Sequence, residues 1–233
     1  MDIEGCPFIV LCGGDNTRLE VLRGTIYKPF LQLRDTTLVA KHVTRATMAG
    51  HTRIRIVVDS RDPLVEAYVA GLAGELGIDV RLSVVPGGAR EKVVEVLGPY
   101  PTLSLAVVVL GDTYSWYDPR RLLSRVESGD VDCCLAIARY RLPFGVVKVD
   151  GESIIGFSEK PETDFLVNVG AMALGPTAID LLTRGVAIDR MLADLAAKGR
   201  LGGIEVSNGF LSVDSLDGIA RALSAEGQDL LSQ

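Results

Sequence analysis

The stretch from Leu11 to Leu19 reads LCGGDNTRL, so an apolar run is followed at once by two glycines, polar residues and an arginine. Because Gly13 and Gly14 carry no side chain, their backbone N–H groups can approach an anionic ligand closely. The guanidinium of Arg18 has the fork of donors that fits phosphate oxygens. Lys28 follows ten residues later, and the spacing matches neither a P-loop nor a GxGxxG dinucleotide motif. The pattern predicts a phosphate-binding loop; the alternative is a glycine turn beside a solvated arginine.

Composition and charge restrict the partners that this loop could serve. The chain has 233 residues, 48% of them hydrophobic, and a formal net charge of −6 without any basic block. It is long enough to bury a large core. The acidic balance argues against nucleic acid and against anionic membranes as partners.

Cysteine usage and the first residues favour a reducing compartment. The four cysteines, Cys6, Cys12, Cys133 and Cys134, show no CxxC spacing, and the chain has only two histidines. A zinc site and a disulfide framework are therefore not expected, and buried free thiols are. The opening residues do not resemble a signal peptide, and no apolar run reaches membrane-spanning length. We expect a cytoplasmic protein.

Short apolar runs that alternate with helical segments must position the loop. The helical segments DPLVEAYVAGLAGEL and DPRRLLSRVES each begin with an Asp-Pro pair, at Asp62 and Asp118, as a helix cap does. Continuous apolar runs of this length suit strands of a sheet covered on both faces. They read PFIVL, RIRIVVD, VRLSVV, LSLAVVVL and VDCCLAIA. The alternation predicts crossover units and a mostly parallel sheet, so the glycine loop lies at the carboxyl end of its first strand, where ligands bind.

After about residue 140 the pattern changes to antiparallel signals. Asp150-Gly151 lies between two alternating stretches and predicts a β-hairpin that walls one side of a pocket. A further strand, FLVNVGAMAL, precedes more helical sequence, and the last residues predict a strand, a turn and one terminal helix. No repeat or long linker interrupts the chain, so residues 1–233 predict one domain.

Motifs along nearly the whole chain resemble, in order, those of the sugar-phosphate nucleotidyltransferases, the NDP-sugar pyrophosphorylases. The family's GGxGTRL motif corresponds to GGDNTRL, and its Lys-Pro pair lies ten residues after the arginine, as here. Each motif alone is weak evidence, whereas the ordered set is specific. The further matches are Asp112 in VVVLGD, Gly145 in FGVV, Glu159-Lys160-Pro161 in FSEKPE, and Asn168 and Gly170 in NVGAMAL.

Three positions depart from the family pattern. Asn16 replaces the third glycine of the first motif, and Ala89 follows Gly88 where the family has threonine. The late metal-binding aspartate of the family aligns with Ser212, and Asp214 stands two residues further on. Because alternate strand residues share a face, Asp214 is expected to supply the carboxylate from the shifted position.

The resemblance implies a fold and a reaction. The fold is a Rossmann-like three-layer α/β/α sandwich with a mixed, mostly parallel sheet and a β-hairpin sugar-binding insertion. The chain would be a single nucleotidyltransferase catalytic domain without a C-terminal β-helix domain. The reaction is Mg²⁺-dependent transfer of a nucleoside monophosphate from a nucleoside triphosphate to a sugar 1-phosphate, which releases pyrophosphate. A homo-oligomer is compatible with the resemblance.

The resemblance also implies a role for each matched residue. Arg18, Lys28, Asp112 and Lys160 would be catalytic, and Asp112 and Asp214 would bind the metal. The nucleotide would contact Leu11, Gly13, Gly14, Arg18, Lys28 and Gly88. The sugar phosphate would contact Gly145, Glu159, Lys160, Asn168 and Gly170.

Ordinary structural roles compete with these assignments. Lys28 and Lys160 can be solvated surface lysines, Asp112 and Asp214 can be turn residues, and Gly170 can serve close strand packing. Two functional alternatives also stay open. One is a cytidylyltransferase for phosphocholine or inositol phosphate; the other is a catalytically weak nucleotide-binding homologue with a regulatory role.

Overall fold

The computed structural model of the chain describes residues 3–13, 27–98, 103–142, 144–206 and 209–232. Its centre is a seven-stranded mixed sheet whose first five strands in chain order come from the five apolar runs. The seven strands are β1 (Phe8–Leu11), β2 (Arg53–Val58), β3 (Asp79–Val84), β4 (Ala106–Leu110), β6 (Cys133–Arg141), β9 (Glu162–Leu174) and β10 (Leu201–Glu205), while β5 (Thr113–Ser115) lies outside this sheet.

The strand order in the sheet is β10-β6-β9-β4-β1-β2-β3. Strands β3, β2, β1 and β4 are parallel, and β10 is parallel to β6. Strand β9 runs antiparallel to both of its neighbours, β4 and β6. The prediction of a mixed, mostly parallel sheet is therefore confirmed, and the carboxyl ends of β1 and β4 meet at one edge.

Helices cover both faces of the sheet, which explains why its strands are apolar at successive positions. One buried cluster joins the sheet to α1 (Leu38–Met48), α2 (Pro63–Leu76) and α4 (Pro119–Glu127). The cluster on the opposite face joins it to α3 (Ala89–Leu97), α5 (Pro176–Thr183) and α6 (Ile188–Ala197). The three-layer α/β/α arrangement is thus observed.

The two Asp-Pro helix starts form as the sequence predicts. The Asp62 carboxylate accepts a 2.9 Å hydrogen bond from the backbone N–H of Leu64, and Asp118 accepts one of 3.0 Å from Arg120. Each satisfies a backbone donor that a first helical turn leaves without a partner.

The predicted hairpin is also present, as a separate two-stranded sheet. Strands β7 (Val146–Asp150) and β8 (Ser153–Ser158) pair antiparallel, and Gly151 adopts φ +56 in the turn. Its apolar residues are largely exposed, among them Ile154 and Phe157.

The last part of the chain differs from the sequence prediction of a single terminal helix. Strand β11 (Phe210–Ser212) pairs with β5 and leads into two helices, α7 (Leu216–Leu223) and α8 (Ala225–Ser232). Ser224 has extended backbone angles between them, and its hydroxyl accepts a hydrogen bond from the Gly227 N–H. The serine therefore ends one helix and caps the next.

All four cysteines are buried as free thiols. Among the residues described, no helix combines the length and the apolar character that a membrane span requires.

Candidate active site

Strands β1 and β4 end side by side and define the centre of the candidate site. Leu11 pairs with Leu110, and the N–H of Gly111 donates a 2.8 Å hydrogen bond to the Leu11 carbonyl. Gly111 is packed so closely that a Cβ atom there would lie 2.9 Å from Cys12 Sγ and 3.0 Å from Pro29 Cγ. The glycine before Asp112 is therefore needed to bring the Lys28-Pro29 segment against the end of β4.

Lys28 is held at this edge by the fold of its own segment. It begins a 3-10 helix, Lys28–Phe30, in which Pro29 and Phe30 are buried and Lys28 is only half-buried. The preceding residue, Tyr27, hydrogen bonds through its hydroxyl to Ser60, which follows β2. The segments that follow β2 and β4 thus both contact the segment that carries Lys28.

Asp112 and Asp214 are brought close by the β5–β11 ribbon. Ser212 pairs with Thr113, and the N–H of Val213 donates a 2.9 Å hydrogen bond to the Asp112 carbonyl. Strand β11 ends at Ser212, so the alternation of a strand does not set the direction of Asp214, contrary to the sequence argument. Both aspartates are half-buried.

Asn168 and Gly170 lie at an irregularity of β9 beside the same strand ends. The pairing of β6 with β9 shifts register between Leu135 and Ile137, opposite this segment. Gly170 adopts φ +81, and its N–H donates a 2.9 Å hydrogen bond to Asn168 Oδ1. A Cβ atom on Gly170 would lie 3.0 Å from Thr113 Oγ1, so close strand packing explains this glycine. The Asn168 side chain stabilises the bulge that places it there.

A cleft of about 440 Å³ opens at this edge of the sheet. Three residues predicted to bind substrates line it: Leu11, Gly88 and Asn168. Apolar side chains form much of its wall, and Arg90, Glu91 and Asp189 are its charged residues. The remaining lining residues are Ala89, Leu110, Met172, Ala187, Ile188 and Leu192.

Gly88 is the N-cap of α3 and is linked to Glu91, the third helical residue. The Glu91 carboxylate pairs with Arg90 at 2.6 Å, and a Cβ atom on Gly88 would lie 2.9 Å from Glu91 Oε2. The attraction of its own backbone N–H, and then that of the Arg90 guanidinium, hold the pKa of Glu91 below its usual range. The acidic third residue of α3 thus lies beside the N-cap residue, as in a capping box.

Gly145, Glu159 and Lys160 lie together at the base of the β7–β8 hairpin. A Cβ atom on Gly145 would lie 2.6 Å from the Phe157 ring and 3.1 Å from Glu159 Oε2. Lys160 adopts φ +44, a backbone conformation that is unfavourable for a side-chain-bearing residue and is found mainly at constrained sites. These three residues form one group at the base of the hairpin.

Two predicted residues, Gly14 and Arg18, lie outside the described residues, and their roles stay predictions.

Two charged residues of the site were not predicted. Lys92 on α3 is buried, and its Nζ lies 2.5 Å from Asp59 Oδ1 beneath Gly13. Asp59 directly follows the apolar run of β2, so the rule that selected Asp112, an aspartate at the carboxyl end of a strand, would also have found it. Burial raises the pKa of the Cys12 thiol, the charge of Asp112 raises it further, and Lys92 lowers it. Cys12 is thus held as a neutral thiol between these two charges.

His42 lies behind the site as a neutral histidine. Its Nε2 bonds the Thr113 carbonyl at 2.9 Å, one residue from Asp112. Burial lowers the pKa of His42 to about 3, and the nearby positive charge of Arg45 adds to the effect. The ring therefore supports the β4–β5 turn and carries no charge at neutral pH.

Another cavity, of about 410 Å³, lies between α1 and the start of α4. Arg45 stacks there over the rings of Tyr114 and Tyr117. None of the predicted site residues lines this cavity, so its size does not make it the candidate active site.

The cleft lies at the carboxyl ends of the central strands of an α/β sheet, which is the edge where proteins of this class bind their ligands. The sequence profile of the nucleotidyl transferase family matches residues 8–187, which is more than half of the chain. The chain belongs to the nucleotidyl transferase family.

One curated protein that is similar over part of the chain is also named as a nucleotidyltransferase. A mannose-1-phosphate guanyltransferase of Neurospora crassa is 29% identical over 76 residues, which are 33% of this chain and 21% of that protein. The match spans only about a fifth of the length of this curated relative.

A crystal structure shares the fold at lower identity. It is that of a protein provisionally named glucose-1-phosphate thymidylyltransferase, from Bacillus anthracis, solved with sucrose. The TM-score is 0.74 over 95% of each chain, at 18% identity.

Proposed function

We propose that this protein transfers a nucleoside monophosphate from a nucleoside triphosphate to a sugar 1-phosphate and releases pyrophosphate. The observation that carries the proposal is the convergence of Leu11, the Lys28-Pro29 segment and Asp112 at one sheet edge, within a chain of the nucleotidyl transferase family. The cleft at this edge supports the proposal because it offers apolar surface together with a few polar groups.

The reaction requires two polyanions to meet. An oxygen of the sugar phosphate attacks the α-phosphorus in line, the bond from that phosphorus to the α–β bridging oxygen breaks, and pyrophosphate leaves. Positioning and neutralisation of charge account for most of the catalysis in such transfers. The protein therefore needs cations on both the leaving and the attacking phosphate.

On the nucleotide side, Lys28 and Arg18 would hold the triphosphate and stabilise the charge of the departing pyrophosphate. Leu11, Gly13 and Gly14 would contact the nucleoside. Gly88, which lines the cleft, would contribute close approach of its backbone to the nucleotide.

On the sugar side, Lys160 would bind the attacking phosphate, and its constrained backbone favours one direction for the side chain. Glu159 and Asn168 would bind hydroxyl groups, with the backbone of Gly145 and Gly170 beside them. Asn168 keeps its amide nitrogen for a substrate because its oxygen already accepts from Gly170.

Asp112 and Asp214 would hold Mg²⁺. The hydrogen bond from the N–H of Val213 to the Asp112 carbonyl keeps the backbone before Asp214 near Asp112. Mg²⁺ needs only one or two carboxylates when substrate phosphates complete its coordination. When bound, the ion would neutralise charge on the phosphates.

Pyrophosphate release with Mg²⁺ tests the proposal. Each of the common nucleoside triphosphates is crossed with mannose 1-phosphate, glucose 1-phosphate, other sugar 1-phosphates, phosphocholine and inositol 1-phosphate. Mannose 1-phosphate with GTP and glucose 1-phosphate with dTTP come first, because the similar proteins bear those names.

A productive sugar pair, with the nucleotide sugar identified by mass spectrometry, would support the proposal. Release only with CTP and an alcohol phosphate would overturn the sugar assignment. Nucleotide binding without release from any pair would instead favour the regulatory alternative.

A further inference from the structure

Lys92 is a charged side chain in an unusual place, because lysines are almost never fully buried unless they are paired. The residue is 3% exposed, although it lies on the second turn of α3 beside the candidate cleft. Its Nζ lies 2.5 Å from Asp59 Oδ1 and donates a 2.8 Å hydrogen bond to the Gly87 carbonyl. The ammonium is thus fixed from two directions.

The ion pair touches three separate loops at the carboxyl edge of the sheet. Asp59 follows β2, Gly87 precedes α3, and Gly13 follows β1. Gly13 lies directly over the pair: a Cβ atom there would overlap the Asp59 carboxylate and lie 2.6 Å from Lys92 Nζ. Its lack of a side chain is therefore a packing requirement as well as a means of approaching a ligand.

The Lys92–Asp59 ion pair lies next to the residues expected to bind the nucleotide. Gly13 and Gly88 are the residues expected to approach the nucleoside triphosphate, and Gly88 is the neighbour of Gly87. The charges of Lys92 and Asp112 both shift the pKa of the thiol of Cys12, the residue before Gly13. An apolar residue at position 92 would fill the space but would leave the Gly87 carbonyl and the Asp59 carboxylate without this donor.

We propose that Lys92 and Asp59 are nucleotide-positioning residues, whose ion pair fixes the spacing of the loops at Gly13 and Gly87 around the bound nucleoside triphosphate. The inference rests on the proposed function and adds two residues to it. The pair acts through the two backbone segments, so it governs affinity for the nucleotide and leaves the acceptor side, at Lys160 and Asn168, unaffected.

A role in stability alone makes a different prediction. Removing one partner of a buried pair leaves an uncompensated charge, whereas replacing both by apolar residues of similar volume is often neutral. A double variant, Lys92→Met with Asp59→Leu, therefore removes the ion pair with little expected loss of stability. Asp59→Asn is the second variant, because it removes the charge and keeps the shape.

The test compares these variants with the wild type by two readouts. Steady-state pyrophosphate release gives KM for the nucleotide, KM for the acceptor and kcat. Isothermal titration calorimetry with Mg²⁺ and nucleoside triphosphate gives Kd without any turnover. Arg200→Met with Asp132→Leu is the matched control, since that part-buried ion pair, 2.8 Å between Nε and Oδ2, joins β10 to β6.

We expect the double variant to raise the nucleotide KM and Kd at least tenfold, with the acceptor KM and kcat within threefold of the wild type. Asp59→Asn should raise the nucleotide KM and Kd about threefold. The control double variant should leave the nucleotide Kd unchanged. A folded double variant and a folded Asp59→Asn variant with wild-type nucleotide Kd would overturn the inference.

Pyrophosphate release by the wild type tests the proposed reaction, and the nucleotide Kd tests the role of the ion pair. If the wild type binds nucleotide but releases no pyrophosphate, the proposed reaction fails, while Kd still decides the role of the pair. If the wild type binds no nucleotide, both fail.

Discussion

The backbone N–H of Val213 donates a 2.9 Å hydrogen bond to the carbonyl oxygen of Asp112. These residues are about a hundred positions apart in the sequence, and the bond fixes the chain that carries Asp214 against the end of β4. The backbone of Asp112 and the residue before Asp214 thus lie side by side, and among the residues described there is no group of three His, Cys, Asp or Glu residues that could hold a metal ion.

Removing either carboxylate should weaken the response to magnesium. We expect Asp112→Asn to lower kcat/KM by about 10²–10³-fold, the range seen when a preorganised electrostatic contact is lost. Asp214→Asn should raise the Mg²⁺ concentration needed for half-maximal pyrophosphate release. Asp217→Asn, on the exposed first turn of α7, is the control and should change neither quantity. An Asp214→Asn enzyme with an unchanged Mg²⁺ dependence would assign this position to the turn alone.

Lys28 should be required for catalysis and dispensable for folding. Because it is half-buried at the start of the 3-10 helix while its neighbours Pro29 and Phe30 form the packed part, Lys28→Ala removes charge with little loss of contact area. We expect kcat/KM to fall about 10²-fold or more and the melting temperature to stay within about 2 °C. Lys198→Ala, exposed at the end of α6, is the matched control. Equal activity of the two variants would show that Lys28 is a surface lysine.

Gly170 should be sensitive to the smallest side chain. Gly170→Ala places a Cβ atom 3.0 Å from Thr113 Oγ1 and 3.1 Å from Leu110 Cβ, at φ +81. Gly77→Ala is the control: that helix C-cap glycine also has positive φ, +62, but has no atom within 4 Å of the added carbon. Backbone strain alone costs about 1–2 kcal/mol.

We therefore expect urea denaturation to show that Gly170→Ala lowers the free energy of unfolding by about 1 kcal/mol more than Gly77→Ala does, because a close contact adds to the same strain. Equal losses for the two variants would mean that β4 and β9 can move apart at no cost.

His42 should make the protein less stable in mild acid. The pKa of the folded-state imidazole is about 3, well below the ordinary value of 6.5, because the ring is buried and lies near Arg45. Below pH 6.5 the unfolded chain takes up a proton that the folded protein does not, so stability is full above that pH and falls as the pH drops toward 3. Between pH 6.5 and 5 this single group should remove about 2 kcal/mol.

Urea unfolding at pH 8.0, 6.5 and 5.0 measures the effect. His42→Gln, which keeps a donor for the Thr113 carbonyl, should show a shallower decline than the wild type over the same range. His51 is also buried with a lowered pKa, and it stays in both proteins, so the difference between the two slopes belongs to His42. Identical slopes would contradict the neutral, buried state of the ring.

The sequence by itself determined the layers of the fold and the edge where the site lies. Continuous apolar runs such as AVVVL are buried on both sides only between two covering layers, and an Asp-Pro start such as that at Asp62 specifies the first turn of a helix through a contact two residues away. These are local or periodic signals, so the strands, the hairpin turn at Asp150-Gly151 and the position of Asp112 after β4 could be predicted. The motif order then pointed to Lys28, Asn168 and Lys160.

Only the tertiary structure decided which of these residues support one another. The pairing of Val213 with Asp112, the overlap that Gly13 avoids above Asp59, and the burial of Lys92 all join residues far apart in sequence. A lysine in the sequence of an amphipathic helix is ordinarily read as solvent-exposed, because periodicity shows which face of a helix is apolar and cannot show what another loop brings against the polar face. The ion pair under Gly13 follows from how the separate strand ends converge.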